Sequence, residues 1–397
     1  MFVLGLENGS LSLVDEEKDR QCWRKIEAHD KVPEPTPGVY QKNPRGMSVA
    51  CSPDGSCIAS VDRSHDMVKI WNLDGTEKRK YYGIDQRKYY GFMGALESVT
   101  FSPRGTLIAI INCDGKMKVY DTKTERLLWE LTTPNPMLYS VSFSGDSMFV
   151  AAASRCGTVY IRYAATGTQY KNMVMGGVGE FCPTNPNLFA TTDGDNLALW
   201  NIEAEEEIWN VLHGRDDYFN VENFAHFSPD GKMIATVRQD ETPEPEDPES
   251  DTDNESEEQP NYVVVVHADD GRTKFSLEHE QWSTVYEAAF SPDRRQLACV
   301  GAKAGTLGLC VLWNTSDGNA ICSISIGHPV RSIAWAYKHS EMRRESLAMA
   351  KHNRLGAGAK LGVLDEDMLG LIARYHEFPA KLPEHYREFR IHPWDGN

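Results

Sequence analysis

Short apolar runs alternate with polar turns along most of the chain, and they recur in one fixed order. A first run ends in Phe-Ser-Pro-Asp-Gly or a variant of it. A second run, a polar turn and a third run follow, and the third run ends in an aromatic residue and a polar one. The runs are rich in β-branched and aromatic residues and are bounded by Gly, Asp, Asn or Pro. This pattern predicts short β-strands joined by tight turns.

The turn signature after the first run recurs at regular distances. Its copies occupy residues 51–55, 101–105, 143–146, 181–183, 227–231 and 290–293, and a seventh first run ends at Trp335 without the turn. Successive copies are 50, 42, 38, 46, 63 and 45 residues apart. The 63-residue interval contains an acidic stretch of 21 residues, without which it shrinks to about 42. A period of this length indicates a repeat protein.

The third run recurs in step with the first. Its copies occupy residues 68–72, 117–121, 158–162, 197–201, 263–267 and 309–314, and a further copy, residues 10–15, stands near the start after the apolar residues 2–6. The chain therefore begins with the second half of a repeat, and residues 325–335 supply only a first half at the other end.

These repeats resemble the WD-repeat (WD40) family of β-propellers over residues 1–337. The family's Trp-Asp dipeptide is replaced by Trp-Asn at residues 71–72, 200–201 and 313–314, and its Gly-His dipeptide is complete at Gly327-His328. The resemblance implies an all-β, seven-bladed propeller. The two half repeats predict one blade shared between the N- and C-terminal strands, which would leave no open sheet edge in the ring.

The resemblance also implies a structural role for four histidines, each of which would hydrogen-bond a turn Asp within its own blade. They are His29, His213, His279 and His328. One histidine per blade is too widely spaced to share a metal ion, so we expect no metal site.

In this family, the residue just before the innermost strand of each blade faces the narrower rim and the mouth of the channel. Counting back four residues from Phe101 and its equivalents gives Met47, Glu97, Tyr139, Gly177, Asn223, Tyr286 and Arg331, and the neighbouring loops add Tyr218 and Trp282. Tyr, Trp, Arg and Met are typical of interaction hot spots. These side chains are therefore a candidate partner-binding surface, although the aromatic ones could instead simply pack the blade ends.

Most of the net negative charge of the chain is concentrated in one segment. The net charge is −17, and residues 240–260 contain 11 Asp/Glu and no Lys/Arg, so the rest of the chain carries −17 + 11 = −6. This balance argues against a nucleic-acid or anionic-membrane partner. The segment is predicted to be a disordered loop, either a solvating linker or a contact for a basic protein surface, and Ser250 and Thr252 match acidophilic kinase sites.

The remaining composition favours a reduced intracellular setting. The nine cysteines are odd in number and form no Cys-x-x-Cys pair. The N-terminus does not resemble a signal peptide, and no apolar run is long enough to span a membrane. We expect a cytoplasmic or nuclear protein.

Catalytic motifs are absent from the sequence. It contains no Gly-x-Ser-x-Gly, Walker A, Gly-x-Gly-x-x-Gly or His-Glu-x-x-His sequence. We therefore expect no catalytic residues, no cofactor and no enzymatic activity.

Residues 338–397 do not fit a blade and are predicted to form a helical extension. Residues 340–353 and 365–375 have helical patterns, with Met368, Leu371, Ile372 and Tyr375 on one face. Residues 354–372 resemble, loosely, the short helical boxes (F-box-like) that dock adaptors to larger complexes.

Three functions follow as hypotheses. The first is a non-enzymatic scaffold of an intracellular complex that binds protein or peptide segments on the propeller rim. The second is a substrate receptor of a ubiquitin-ligase-like assembly that docks through residues 338–397. The third is an enzyme that works in the channel, which would require a buried cluster of ionisable groups there.

Overall fold

A computed structural model of the chain describes residues 2–6, 10–14, 23–27, 48–62, 67–82, 96–135, 137–193, 196–212, 224–238, 262–280, 282–303, 307–326, 328 and 330–335. Every regular element in these ranges is a β-strand. The chain divides into two units, Met1–Tyr337 and Lys338–Asn397, and all described residues belong to the first. The acidic segment 240–260 and the predicted helical extension lie outside the described residues.

The 28 strands form seven four-stranded antiparallel sheets, as the repeats predict. Blade I contains β28 (Val330–Trp335), β1 (Phe2–Leu6), β2 (Ser10–Val14) and β3 (Trp23–Glu27). Blade II contains β4 (Val49–Cys51), β5 (Cys57–Asp62), β6 (Met67–Asn72) and β7 (Glu77–Tyr82). Blade III contains β8 (Leu96–Phe101), β9 (Leu107–Asn112), β10 (Lys116–Asp121) and β11 (Leu127–Thr132). Blade IV contains β12 (Leu138–Phe143), β13 (Phe149–Ser154), β14 (Thr158–Tyr163) and β15 (Gln169–Val174).

The last three blades follow the same order from the innermost strand outward. Blade V contains β16 (Val178–Phe181), β17 (Leu188–Thr192), β18 (Asn196–Asn201) and β19 (Glu206–Leu212). Blade VI contains β20 (Ala225–Phe227), β21 (Met233–Arg238), β22 (Tyr262–His267) and β23 (Thr273–Leu277). Blade VII contains β24 (Trp282–Phe290), β25 (Gln296–Lys303), β26 (Leu307–Asn314) and β27 (Ala320–Ile326).

The first strand of each blade in this order contacts the first strand of the next blade, so these strands surround the channel of a seven-bladed propeller. The all-β, seven-bladed architecture predicted from the repeats is confirmed. We call the edge at which the innermost strands begin the upper rim, and the edge at which they end the lower rim. Because the strands are antiparallel, the turns between first and second strands and between third and fourth strands lie on the lower rim.

Blade I combines the first and the last strands of the described residues. β28 pairs antiparallel with β1, and Phe2 lies opposite Trp335 with their rings 5.2 Å apart. Both side chains belong to a buried cluster that also contains Leu312 and Val300 of blade VII.

The core lies between the blades. Seven buried apolar clusters each combine residues from two neighbouring blades, including blades VII and I. All six residues of β9, a second strand, are buried, whereas β11, on the outer edge of the same blade, is largely exposed. A strand covered on both faces needs apolar residues at nearly every position, which explains why the second runs are nearly continuous.

The serine of the Phe-Ser-Pro-Asp-Gly signature holds the turn together through hydrogen bonds. Ser228, which is fully buried, donates its hydroxyl to Oδ1 of Asp230 (2.7 Å) and accepts the N–H of Met233 (2.9 Å). The same arrangement recurs with the serine at positions 52, 144 and 291. The turn thus satisfies a buried backbone donor, and Gly231 supplies the left-handed conformation (φ 69°) that closes it.

A second contact links the outer strands of blades II, III and V to the lower rim of the next blade. In blade III, Trp129 donates its indole N–H to the carbonyl of Ala164 in blade IV (2.8 Å), and Trp209 makes the same bond to Ala268 (3.1 Å). In blade II the corresponding residue is Arg79, which bonds the carbonyl of Thr122. We call this arrangement the interblade clamp. It joins neighbouring sheets at their outer edges, where no ladder hydrogen bonds can form.

Candidate functional site

Four of the residues predicted to face the channel mouth share an unexpected feature of backbone geometry. Glu97, Tyr139, Tyr286 and Arg331 are each skipped in the pairing of the innermost strand with its neighbour. Each is thus the extra residue of a β-bulge at the same position of its blade. Bulges re-aim a side chain out of the regular alternation of a strand. All four bulges lie at the upper rim, where they direct these side chains out of the regular alternation of the strand.

Two of the bulge residues contact each other across a blade boundary. The guanidinium of Arg331 in blade I lies 4.0 Å from the ring centre of Tyr286 in blade VII. Both side chains are half-buried. A guanidinium stacked on an aromatic face places a positive charge beside an apolar ring.

Tyr139 lies in an apolar part of the upper rim. Its hydroxyl is 3.9 Å from the sulfur of Met137, which is 41% exposed and has a positive φ of 68°. The carbonyl of Met137 accepts the N–H of Arg155 from the next turn along this rim (2.9 Å). At the end of β15, on the same rim, Val174 is 76% exposed. Val174 and Met137 are thus exposed apolar side chains on the same rim as Tyr139.

Two predicted rim residues differ from the expectation of an accessible side chain. Glu97 is 7% exposed and Trp282 is 4% exposed. Trp282 packs in the cluster between blades VI and VII, with its ring 5.9 Å from Trp313 and 5.7 Å from His279. The apolar environment of this interface accounts for the position of Trp282. In this conformation, Trp282 offers a partner almost no accessible surface.

Of the remaining predicted residues, the structure describes some, and the others lie outside the described ranges. Gly177 precedes β16 and donates its N–H to the carbonyl of Thr192 (3.2 Å), while His328 is exposed. The following predicted positions lie outside the described residues: Met47, Tyr218, Asn223, His29, His213, Ser250 and Thr252.

The innermost strands carry a charged cluster that no sequence pattern predicts. His226 of blade VI lies between two carboxylates, with Nδ1 2.6 Å from Oε2 of Glu180 in blade V and Nε2 3.6 Å from Oε1 of Glu287 in blade VII. The cluster spans three successive blades on the channel side. Each of the three residues is isolated in the sequence, and only their alignment on the innermost strands brings them together.

The two carboxylates keep His226 charged. Burial by itself lowers the pKa of His226, but hydrogen bonds to Glu180 and Glu287 and their negative charges outweigh that effect and raise the pKa to about 10. An imidazolium that keeps its proton at neutral pH cannot serve as a general base there. The arrangement is therefore better suited to linking blades than to proton transfer.

Further polar bonds join neighbouring innermost strands. The hydroxyl of Ser142 in blade IV accepts the N–H of Phe181 in blade V (3.0 Å), and Ser140 accepts the N–H of Gly179 (3.1 Å). A carboxylate oxygen of Glu287 accepts the N–H of Ile333 in β28 (2.8 Å). We call these bonds, together with the His226 cluster, the channel belt. It connects blades IV to VII and blade VII to blade I.

The described residues contain no group of His, Cys, Asp and Glu arranged to hold a metal ion. In the same part of the chain, no helix is long and apolar enough to cross a membrane.

Comparisons with known proteins agree with this architecture. A family model described as "WD domain, G-beta repeat" matches residues 126–162, which run from the outer strand of blade III through the third strand of blade IV. The WD repeat-containing protein SL1-17 of Schistosoma mansoni is 26% identical over 147 residues, or 36% of this chain. The match spans about half of that relative, 47% of its length. The chain is thus a seven-bladed, all-β propeller that is similar to WD-repeat proteins, which generally serve as scaffolds for protein interactions.

Proposed function

We propose that this protein is a non-enzymatic platform of an intracellular complex, which binds a partner segment at the upper rim through Tyr139, Tyr286 and Arg331. The observation that carries the proposal is the recurrence of the β-bulge: blades I, III, IV and VII all break their strand pairing at this one position. In a regular strand, successive side chains would point alternately to the two faces of the sheet, where they pack against the neighbouring blades. Bulges tend to occur where a side chain is re-aimed for binding.

The two parts of this surface suit different groups of a partner. Tyr139, with the exposed Met137 and Val174 on the same rim, suits an apolar side chain. The stacked pair of Arg331 and Tyr286 suits a carbonyl or carboxylate beside an apolar group. Tyr and Arg dominate the binding energy of many interfaces because they combine large contact area with directed hydrogen bonds.

The acidic segment would add to the same surface. β21 ends with Arg238 and β22 begins with Tyr262, and both of these ends lie at the upper rim. Residues 240–260, with 11 Asp/Glu, therefore connect to the rim that presents Tyr139 and Tyr286. We propose that they attract a basic protein surface, and that phosphorylation of Ser250 or Thr252 strengthens the attraction.

The shared blade gives this platform its rigidity. We infer that the ring is closed by the pairing of β28 with β1, supported by the bond from Glu287 to the N–H of Ile333. A closed ring fixes the distances between rim residues of different blades, which lowers the entropy lost when a partner binds.

One observation favours a second candidate, catalysis in the channel. Glu180, His226 and Glu287 form the ionisable cluster that such an enzyme would require. The raised pKa of His226, about 10, argues against it, because the imidazole would not accept a proton at neutral pH.

The test is affinity capture with quantitative mass spectrometry. It compares the full chain with the triple variant Tyr139→Ala/Tyr286→Ala/Arg331→Ala. A matched triple, Tyr163→Ala/Tyr170→Ala/Arg272→Ala, removes two tyrosines and one arginine from the lower rim. Partners should be lost with the first triple and retained with the second, with all three proteins shown to be folded by circular dichroism.

Equal loss from both triples, or no loss from either, would contradict binding at the upper rim. A truncation after residue 337 separates this proposal from docking through residues 338–397, because that alternative requires partners to disappear with the truncation alone.

A further inference from the structure

A cavity of about 210 Å³ lies between blades II and III on the lower rim, away from the surface proposed above. Its floor is apolar and includes Ile70, Tyr81 and Phe101, while Lys78 and Arg104 line it from the two sides. A volume of this size is smaller than the pockets that hold drug-sized molecules, and it suits one or two side chains of a peptide.

The interblade clamp next to the cavity has a different residue from the clamps of blades III and V. In blades III and V the clamp residue is Trp129 or Trp209, whose ring lies against a glycine of the next blade, Gly167 or Gly271. In blade II the clamp residue is Arg79. Its guanidinium bonds Glu125 (2.9 Å) and the carbonyl of Thr122, so no ring fills the space between the sheets.

The charged groups around the cavity are positive on balance, because Lys78, Arg79 and Arg104 face only two carboxylates of the described residues, those of Asp54 and Glu125. Asp54 accepts hydrogen bonds from the hydroxyl of Ser52 (2.6 Å) and from the N–H and hydroxyl of Ser56 (2.9 and 2.8 Å). Arg79 is paired with Glu125. Burial raises the pKa of Asp54, but hydrogen bonds from Ser52 and Ser56 and the charge of Lys78 lower it overall, so its carboxylate stays charged. The side chains of Lys78 and Arg104 are both exposed.

We infer that this cavity is a second binding site, which takes an acidic segment of a partner protein. An apolar side chain of the segment would lie on the floor formed by Ile70, Tyr81 and Phe101. A carboxylate or a phosphate one residue away would meet Lys78 and Arg104. Both kinds of anion accept charge-assisted hydrogen bonds, and phosphate offers more acceptor oxygens.

The acidic residues 240–260 of this chain are the less suitable occupant. They connect two strands of blade VI at the upper rim, whereas the cavity lies on the lower rim between blades II and III. Blade VI is adjacent to neither of those blades. A partner bound in the cavity would thus leave the upper rim open to a different protein.

The first experiment follows the methyl resonance of Ile70 in the full chain while peptides are added. The probes are Glu-Leu-Ser-Glu, the same peptide with phosphoserine, and Lys-Leu-Ser-Lys. Both acidic peptides should shift the resonance, and the phosphorylated form should bind more tightly. If phosphorylation makes no difference, carboxylates supply the recognised anion. If the basic peptide shifts the resonance as strongly as the acidic ones, the inference is overturned.

Charge reversal tests the role of the two cations. Lys78→Glu/Arg104→Glu should weaken binding of the acidic peptides by about tenfold or more, because two charge-assisted contacts become repulsive. The control, Lys232→Glu/Arg295→Glu, changes the overall charge equally on the same rim at blades VI and VII. Equal weakening in the two variants would show general electrostatic screening and would overturn the inference.

A filled-cavity variant tests the location. Arg79→Trp/Glu125→Gly copies the pair Trp129 and Gly167, and it leaves Lys78 and Arg104 in place. Peptide binding should disappear while the midpoint of urea unfolding stays near that of the original chain. Unchanged binding would overturn the site. If this variant does not fold, the charge-reversed pair, whose substitutions are exposed, decides the question.

Discussion

The indole ring of Trp129 lies so close to Gly167 of the next blade that a Cβ at this glycine would come within 2.6 Å of the ring. Gly167 also has a positive φ of 72°. The residue at this position therefore has two independent reasons to be glycine, one of backbone conformation and one of space.

Gly167→Ala should separate these two reasons when it is compared with Gly105→Ala. Gly105 has a similar φ of 69°, but a Cβ there would meet only Pro53, at 3.7 Å. We expect Gly105→Ala to cost about 1–2 kcal/mol in the free energy of unfolding. Gly167→Ala should cost about 1–3 kcal/mol more, because the ring must move. Urea denaturation of both variants measures the difference, and equal costs would show that the ring moves without strain.

The repeats could be predicted from the sequence, because tight turns and nearly continuous apolar runs leave a strong local pattern. The interblade clamp could not. Its contact pairs Trp129 with Ala164 and Arg79 with Glu125, residues that belong to different repeats and show no shared motif. An alignment of the repeats contains one signal of the clamp. Where the clamp residue is aromatic, the turn of the next blade has glycine at the contacting position; where the clamp residue is basic, that position is glutamate. Lys171 and Glu205, whose charged groups lie 2.8 Å apart, are a second example of the basic kind.

The candidate site could be predicted only in part. The register of the innermost strands was sufficient to place Tyr139, Tyr286 and Arg331 at one rim, because every blade repeats the same geometry. The burial of Trp282 and the cluster of Glu180, His226 and Glu287 could not be predicted, because they depend on how neighbouring blades pack. Side chains from three repeats that meet in space leave no local pattern in the sequence.

The serine of the turn signature makes a second prediction. Ser228→Ala removes the acceptor of the buried N–H of Met233 and the donor to Asp230. Leaving a buried group unsatisfied should reduce the free energy of unfolding by about 1–3 kcal/mol. Ser316→Ala, in an exposed turn where the hydroxyl bonds Asn314, is the control and should change it by less than about 0.5 kcal/mol. Similar values in urea denaturation would contradict this role of the serine.

Thiol reactivity should follow burial. Burial raises the pKa of Cys299 well above its ordinary value, and burial together with the nearby Cys57 raises the pKa of Cys51 to about 12. Cys156 is exposed. Iodoacetamide at pH 8 should therefore modify Cys156 in the folded protein, and Cys299 only after unfolding, as read by peptide mass spectrometry. Rapid labelling of Cys299 in native protein would contradict the packing between blades VI and VII.

The bond between Glu287 and the N–H of Ile333 predicts a local effect on β28. Glu287→Ala should leave that N–H without its acceptor and speed its hydrogen exchange, with a loss of about 1–3 kcal/mol in stability. Glu287→Gln keeps an oxygen acceptor and should protect the amide better, although it removes the charge that faces His226. If both variants leave the exchange rate of Ile333 unchanged, the carboxylate does not hold β28.

The charge on His226 predicts how stability depends on pH. Its pKa is about 10 in the folded chain and about 6.5 when unfolded, because Glu180 and Glu287 stabilise the imidazolium. The folded state therefore binds more protons between these values. The stabilisation is complete below about pH 6.5 and is lost as the pH rises through about 10.

His226 is 34% exposed, so solvent screening reduces the contribution to about 1–3 kcal/mol. His226→Gln should reduce this slope in urea denaturation between pH 7 and 10, whereas His328→Gln, an exposed control, should keep it. An unchanged slope in His226→Gln would show that the carboxylate pair does not bind the imidazolium as the geometry indicates.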